Sequence, residues 1–184
     1  MLETKRVFLR PYEMDDLDEV TTQFNNPEVR QFLCPGIPYP VSRESERQWL
    51  QNQSKAADQK NFAIIRKEDN RYMGGCGINE IEWTHRCGVV GIFLGKPYWN
   101  EGYGTEALGA LIDFMFSQMN LNKACLRVYE FNRRAMKSYQ KLGFQLEGTL
   151  RMQIFRHGQY FDEYVMGLLR SEWNRPSYIH QYPL

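Results

Sequence analysis

The sequence lacks the features that mark membrane, secreted and metal-binding proteins. Its 184 residues contain no apolar run that approaches the roughly 20 residues needed to span a bilayer. Residues 1–6 lack the apolar stretch of a signal peptide, so we expect a cytoplasmic protein with no membrane partner. The four cysteines and three histidines show no metal-ligand spacing, and we therefore expect no bound metal.

The cysteines are too few and too scattered to form a disulfide framework. Cys76 and Cys87 could face each other across a hairpin, but disulfides are rare in the cytoplasm. We expect reduced thiols that pack as small hydrophobic groups, at Cys34, Cys76, Cys87 and Cys125.

An excess of charge is also missing, because 23 Lys and Arg face 22 Asp and Glu and leave a net charge of +1. This balance gives no global attraction for nucleic acid, so no nucleic-acid partner is expected. Hydrophobic residues make up 42% of the chain and charged residues 24%, which excludes a disordered chain. The length predicts a single domain, placed at 1–172, with a C-terminal tail at 173–184. A monomer and a homodimer both stay open.

The periodicity of apolar residues changes along the chain. The early part has short strands and two mostly polar helices, near 15–24 and from Ser42 to about Ala57. The later part alternates strands with helices and ends in a hairpin. This order predicts an α/β (α+β) class with a mixed sheet flanked by helices. Strands are predicted at 7–10, 62–65, 72–78, 88–94, 124–128, 145–156 and 160–169.

The segment 91–108 carries the clearest chemical signal. A buried strand runs into a loop, and Gly102 and Gly104 then open a helix. The first amides of a helix lack internal partners and lie at the positive end of its dipole. Glycines let a phosphate approach these amides closely, so the segment predicts a pyrophosphate site. In the alternative interpretation, the glycines only close a tight turn or admit a neighbouring strand.

A dinucleotide is the other ligand that this motif suggests. Gly102-x-Gly104-x-x-Ala107 matches the degenerate Rossmann fingerprint. In that fold the strand turns directly into the helix, whereas about seven residues with Pro97 intervene here. The chain also ends in an antiparallel hairpin and cannot supply the remaining parallel strands. A nucleotide-type ligand remains, and the NAD interpretation is rejected.

A second cluster lies at 132–144. Asn132 ends a strand-to-helix loop, where it can cap the helix or bind an extended ligand. Tyr139 lies two turns later, near the face that carries Ala135. The alternative for Tyr139 is a core aromatic residue whose hydroxyl finds any available partner.

Together these segments resemble the GNAT superfamily of acetyl-coenzyme A-dependent N-acetyltransferases. The resemblance runs from Arg10 to Leu169, and residues 99–108 and 132–144 carry its most specific motifs. Glu147-Gly148-x-Leu150-Arg151 and Gly158-x-Tyr160-x-Asp162 are similar to the Rim-type branch, which includes ribosomal-protein N-terminal and spermidine acetyltransferases. The resemblance implies a mostly antiparallel sheet, splayed between its fourth and fifth strands, with coenzyme A (CoA) in the gap.

The resemblance also implies roles for individual residues. Backbone groups at 92–94 would bind the pantetheine arm, and an amide of Phe93 or Leu94 would polarise the thioester carbonyl. The amides of 101–105 would hold the pyrophosphate. Tyr139 would lie beside the sulfur and protonate the leaving thiolate. The implied acetyl-CoA site comprises Ile92, Phe93, Leu94, Trp99, Asn100, Glu101, Gly102, Tyr103, Gly104, Thr105, Asn132, Ala135 and Tyr139.

The general base departs from the family pattern. Many relatives carry a glutamate early on the fourth strand, but the corresponding residues 87–90 contain no carboxylate. Glu82 is the expected base, since it lies just ahead of that strand and could act through water. Three neighbouring residues are also candidates for the base. For each of them, as for Glu82, the alternative is a solvated loop residue without a catalytic role. A water chain without one essential base is a further alternative. These neighbours are Glu80, His85 and Glu130.

The loop from Leu33 to Tyr39 would cover the acceptor side, and it carries few carboxylates. Polyamines need acidic counter-charges, so a protein N-terminal amine or a small primary amine is favoured, while polyamines and aminoglycosides stay open. Two other function classes remain. One is a catalytically silent acyl-CoA-binding regulatory domain, and the other is a nucleotide-binding protein unrelated to acyl transfer.

Overall fold

The computed structural model describes residues 2–33, 37–53 and 60–180. These ranges contain one eight-stranded sheet and five α-helices. No helix in these ranges is long and apolar enough to cross a membrane. The strands are β1 (Leu2–Glu3), β2 (Val7–Arg10), β3 (Lys60–Arg66), β4 (Tyr72–Glu82), β5 (Cys87–Leu94), β6 (Lys123–Tyr129), β7 (Gln145–Arg156) and β8 (Gln159–Leu169). The helices are α1 (Leu17–Phe24), α2 (Pro27–Arg30), α3 (Arg43–Asn52), α4 (Tyr103–Ser117) and α5 (Arg133–Lys141).

The strands pair in the order β1-β2-β3-β4-β5-β6-β8-β7, and only β5 and β6 are parallel neighbours. The predicted α/β class and mixed, mostly antiparallel sheet are confirmed, and all seven predicted strands are present. The two-residue β1 was not predicted, because so short a strand shows no periodicity.

The structure contains one short helix that the sequence did not predict. Pro27, which follows the helix predicted near 15–24, begins α2, where the side chain of Asn26 accepts a hydrogen bond from the Glu28 amide. Proline fits the first helical position because its missing N–H has no helical partner there. Helix α3 ends at Asn52, and its predicted end near Ala57 lies outside the described residues.

Strands β5 and β6 part soon after they meet. Their pairing covers Cys87–Val89 of β5 and Lys123–Cys125 of β6, yet β5 continues to Leu94 and β6 to Tyr129. A gap therefore opens in the middle of the sheet. It is the splay expected between the fourth and fifth predicted strands, which become the fifth and sixth once β1 is counted.

The sheet is covered by different helices on its two faces. Side chains alternate along a strand: Val90 belongs to the core beneath α4, whereas the Phe93 ring lies 5.6 Å from that of Phe24 in α1. On β6, Val128 likewise points into the α4 core, so Tyr129 points to the other side. We call these sides the α4 face and the α1 face, and the gap connects them.

The first turn of α4 is anchored by a buried carboxylate. Glu106 accepts hydrogen bonds from the Thr4 hydroxyl at 2.6 Å and from the backbone N–H and Nε of Arg6, both at 2.7 Å. Burial alone would raise the pKa of Glu106, but these hydrogen bonds outweigh burial and lower it. The N-terminal hairpin thus fixes the end of α4 that faces the gap.

The C-terminal segment runs back over α4 of the same chain. The indole N–H of Trp173 donates to Asp113 at 3.2 Å, and Ile179 forms an antiparallel bridge with Thr4. Residues 181–184 lie outside the described ranges. The described part of the predicted tail therefore packs on its own domain.

Replacing Glu106 by Gln should lower the free energy of unfolding at pH 7 by about 2 kcal/mol, because hydrogen bonds to a charged group are lost. A lowered folded pKa contributes stability above the unfolded value, near 4.3, and loses it as pH falls through the folded value. The variant should therefore also lose less stability than wild type between pH 5 and 3. Urea unfolding across that range measures both effects, with the exposed Glu68→Gln as the control. A Glu106→Gln curve parallel to that of wild type would contradict this account.

Candidate active site

The gap between β5 and β6 holds a cavity of about 840 Å³. Its lining comes from both faces of the sheet, with the start of α4 and most of α5 on one side and the end of α2 on the other. The cavity gathers eleven of the predicted site residues, namely Ile92, Phe93, Leu94, Trp99, Asn100, Gly102, Gly104, Thr105, Asn132, Ala135 and Tyr139. Three others, Glu82, Glu101 and Tyr103, lie outside the lining.

The N-terminus of α4 lacks a side-chain cap. Gly102 occupies the N-cap position without a side-chain hydrogen bond, whereas Asn132 caps α5 by accepting from the Ala135 amide at 3.3 Å. Ser42 caps α3 in the same way, through the Ser45 amide. The first amides of α4 therefore keep their donors available at the positive end of the helix dipole.

The two glycines of this turn serve different purposes. Gly102 has φ +82°, a left-handed conformation that favours glycine. A Cβ on Gly104 would approach nothing closer than Leu94 Cδ1 at 3.4 Å, an ordinary contact. The protein's own packing thus explains Gly102 but does not require glycine at residue 104, which leaves space over the free amides.

Arg6 accounts for the two predicted residues of this turn outside the lining. Its guanidinium carbon lies 4.5 Å from the centre of the Tyr103 ring, and its Nη1 donates to the Glu101 carbonyl at 3.0 Å. Tyr103 and Glu101 therefore hold the loop in place through Arg6, whose charge is balanced by Glu106.

Helix α5 adds positive charge opposite this turn. Arg133, Lys137 and Lys141 are spaced by four residues, which places them on one side of a helix, and all three line the cavity. Uncapped amides on one wall and a basic helix on the other fit a long polyanionic ligand.

A stacked pair closes one part of the gap. The Arg134 guanidinium carbon lies 3.4 Å from the centre of the Trp99 ring, and the Trp99 indole N–H donates to the Leu94 carbonyl at 2.7 Å. The pair connects α5 to the loop after β5. Trp99 was predicted from the motif, whereas the position of Arg134 depends on how α5 packs and was not predicted.

Tyr139 is buried, with 7% of its surface exposed, and it lines the cavity. Burial raises the pKa of Tyr139 to about 12, although the nearby charge of Arg134 acts in the opposite direction. The phenol consequently stays protonated at neutral pH and can donate a hydrogen bond into the cavity.

A β-bulge brings a carboxylate into the cavity from β4. Ile78 pairs with Val90 and Glu80 pairs with Val89, so Asn79 is an extra residue. Bulges redirect side chains, and Asn79 and Glu80 both line the cavity although neighbours in a regular strand point to opposite faces. The run of two polar residues between Ile78 and Ile81 breaks strict alternation and is the sequence signal for this bulge.

Glu82, the expected base, lies at the far end of β4. Its carboxylate accepts a hydrogen bond from the Thr84 amide at 3.0 Å and supports the turn to β5. Within the described ranges the carboxylate residues of the lining are Glu80 and Glu163, and Glu163 is 4% exposed and lies 3.4 Å from Arg127. Neither the position of Glu163 in the cavity lining nor its pairing with Arg127 could be predicted from the sequence, because β8 and β6 are distant in sequence.

The cysteine arrangement differs from the hairpin pair considered from sequence. Cys76 lies opposite Ile92 in the β4–β5 pairing, so it does not face Cys87. The Cys87 sulfur instead lies 3.2 Å from that of Cys125, at the closed end of the gap. Both are free thiols, and burial, together with Cys87, raises the pKa of Cys125 to about 12. Cys34 lies outside the described residues.

Comparison with known proteins agrees with this geometry. A family model described as "Acetyltransferase (GNAT) domain" matches residues 6–145, more than half of the chain. The chain belongs to the GNAT acetyltransferase family. This acetyltransferase is therefore an acyltransferase, as the resemblance implied.

Relatives of this acetyltransferase span nearly its whole length. "Uncharacterized N-acetyltransferase p20" of Bacillus licheniformis is 32% identical over 94% of this chain and 97% of its own. The spermidine N(1)-acetyltransferase of Escherichia coli (strain K12) is 29% identical over 91% of this chain and 88% of its own.

A solved structure shows the same fold. The spermidine N-acetyltransferase of Vibrio cholerae, crystallised with CoA and spermine, has a TM-score of 0.82 at 24% identity and covers 90% of this chain and 96% of its own.

Replacing Gly104 by Ala should weaken CoA binding to the acetyltransferase about tenfold, because the new methyl group would occupy the space over the open amides. Alanine favours a helix over glycine by about 1 kcal/mol, so stability should be unchanged or higher. Calorimetric titration with CoA and thermal unfolding measure the two effects. Gly148→Ala, with no neighbouring atom within 4 Å of its Cβ, is the matched control. CoA affinity equal to that of wild type in Gly104→Ala would contradict the assignment of this site.

Proposed function

We propose that this protein transfers the acetyl group of acetyl-CoA directly to a primary amine in a ternary complex. The acceptor is a protein N-terminal amine or a small amine. The supporting observation is that one cavity is lined by the uncapped turn of α4, by Tyr139 and by Glu80. Acetyl-CoA fits from the α4 face, where the amides and basic residues lie, and leaves the α1 face for the amine.

Direct attack needs no covalent acyl-enzyme. The lining residues that the structure describes include no cysteine, the usual nucleophile for thioester exchange. A cavity that opens on both faces lets the two substrates meet in the gap. Backbone groups of β5 beyond Val89 have left the pairing with β6, and they can orient the pantetheine arm and the thioester carbonyl.

Tyr139 acts in this proposal as a hydrogen-bond donor to the departing sulfur. A pKa of about 12 exceeds that of a thiol, near 8.5, so complete transfer of the phenol proton would cost roughly 5 kcal/mol. A hydrogen bond to the developing thiolate carries no such cost and stabilises the charge as it forms. This is a weaker role than the proton donation expected from the sequence.

Glu80 is the proposed base. An alkylamine with a pKa near 10.4 is neutral in only about one molecule in 2,500 at pH 7, so a proton must leave before attack. Glu80 lies beside Val89, where β5 and β6 part, and its carboxylate can accept that proton directly or through water. Glu82 is not retained in this role, since its carboxylate supports the neighbouring turn.

The activity itself is tested by thiol release from acetyl-CoA with a panel of primary amines, with the acetylated products identified by mass spectrometry. The proposal predicts thiol release that depends on the amine and forms an N-acetyl product. Tight CoA binding without acetylation of any amine would favour the catalytically silent domain instead.

Replacing Tyr139 by Phe should lower kcat about 100-fold, because one donor to the developing charge is removed, while CoA affinity stays similar. Since the phenol stays protonated well beyond neutral pH, the loss should be constant between pH 6 and 10. Steady-state kinetics across this range measure it. Tyr160→Phe, at an exposed residue of the β7–β8 hairpin, is the matched control. An unchanged kcat for Tyr139→Phe would remove Tyr139 from this role.

Replacing Glu80 by Gln should lower kcat/KM about 100-fold at pH 7, since general-base catalysis contributes at least that factor. The loss should shrink as pH rises towards the pKa of the amine, because less of the amine then needs deprotonation. Glu82→Gln on the same strand is the comparison and should retain activity. A loss for Glu82→Gln with Glu80→Gln active would return the role to Glu82, and activity in both would indicate a water chain.

A further inference from the structure

Four aromatic rings form a continuous strip, and two of them, Phe32 and Tyr129, line the cavity. We call Phe32, Tyr129, Phe131 and Phe161 the aromatic strip. The Phe131 ring lies at its centre, 5.8 Å from Phe32, 5.4 Å from Tyr129 and 4.9 Å from Phe161 between centroids. All but Tyr129 are half-buried, so part of each of these three rings is open to a ligand.

The aromatic strip lies on the face that the acceptor would approach. Tyr129 points to the α1 face and pairs with Glu163 of β8, so Phe161, two residues from Glu163, shares that face. Phe32 and Tyr129 line the same cavity as Glu80. An amine that reaches Glu80 from this side therefore enters a cavity that the strip partly lines.

The charges on this side suit a single ammonium group. Glu163 is paired with Arg127 at 3.4 Å, and Arg134 lies over the Phe32 ring at 5.5 Å. Of the carboxylates that line the cavity in the described ranges, Glu80 is left for an amine. A polyamine would bring several ammonium groups towards one available carboxylate and the guanidinium of Arg134, and like charges at short range repel.

We propose that the acceptor carries one ammonium group on a short linker to an aromatic ring or a branched alkyl group. This inference rests on the proposed function and specifies its substrate. The amine lies at Glu80 and the gap, and the apolar group packs on the aromatic strip, where burial of a ring raises affinity by about tenfold or more. A free arylalkylamine and a polypeptide with an aromatic first residue share this chemistry.

The proposed acceptor differs from the polyamines named for several relatives. The spermidine N(1)-acetyltransferase of Escherichia coli is 29% identical to this chain. The proposed selectivity of this chain depends on its own rings and ion pairs.

The test compares kcat/KM for thiol release from acetyl-CoA with 2-phenylethylamine, ethylamine and spermidine. We expect 2-phenylethylamine to exceed both others by about tenfold or more, mainly through a lower KM. Two tetrapeptides that begin with Phe and Gly distinguish the sources: a preference for the Phe peptide over 2-phenylethylamine indicates a polypeptide acceptor. Spermidine or ethylamine equal to 2-phenylethylamine would overturn this inference alone, whereas no acetylation of any amine would overturn the proposed function with it.

Variants of the strip connect the preference to these rings. Phe161→Ala should raise the KM for 2-phenylethylamine about tenfold and leave kcat/KM for ethylamine and the affinity for CoA unchanged. If Phe161→Ala does not fold, Phe32→Leu tests the same surface. Phe155→Ala is the matched control, since its exposed ring contacts Tyr160 at the hairpin tip, 5.0 Å between centroids. Unchanged KM values in both strip variants would overturn the inference.

Discussion

The parting of β5 and β6 is the constraint on which the rest of the site depends. Two parallel strands that pair over three residues and then separate leave backbone groups without sheet partners in the middle of a covered sheet. Unpaired buried polar groups are costly, so this geometry is stable only where water or a ligand satisfies them. The cavity proposed to bind the ligand therefore forms where the pairing of the two strands ends.

The surroundings hold this gap open in a defined shape. Glu106 ties the start of α4 to Thr4 and Arg6 of the N-terminal hairpin, and Arg134 stacks on Trp99 across the other end. These contacts fix the uncapped amides on one wall and Tyr139 on the opposite one. Preorganised donors lose little entropy when a ligand binds, which supports the proposed anion site at the glycine turn.

Local motifs predicted one side of the site and long-range packing determined the other. The glycine turn, Asn132 and Tyr139 follow from spacing within one helix start or one helix face, so the sequence shows them directly. Glu80, Arg134 and the Arg127–Glu163 pair depend on a bulge, a helix packing angle and the β6–β8 register, which single-sequence periodicity does not reveal. The choice of Glu82 over Glu80 shows the effect, because the two side chains share a face and only the β4–β5 register places Glu80 beside Val89, where β5 and β6 part, and Glu82 beside Cys87.

The most direct measurement is a crystal structure of the protein with bound CoA. We expect the diphosphate within hydrogen-bond distance of the backbone amides of residues 103–105. We also expect the pantetheine arm between β5 and β6 and the thiol beside the Tyr139 hydroxyl. A diphosphate bound elsewhere, with the gap between the two strands closed by the protein's own side chains, would contradict this prediction.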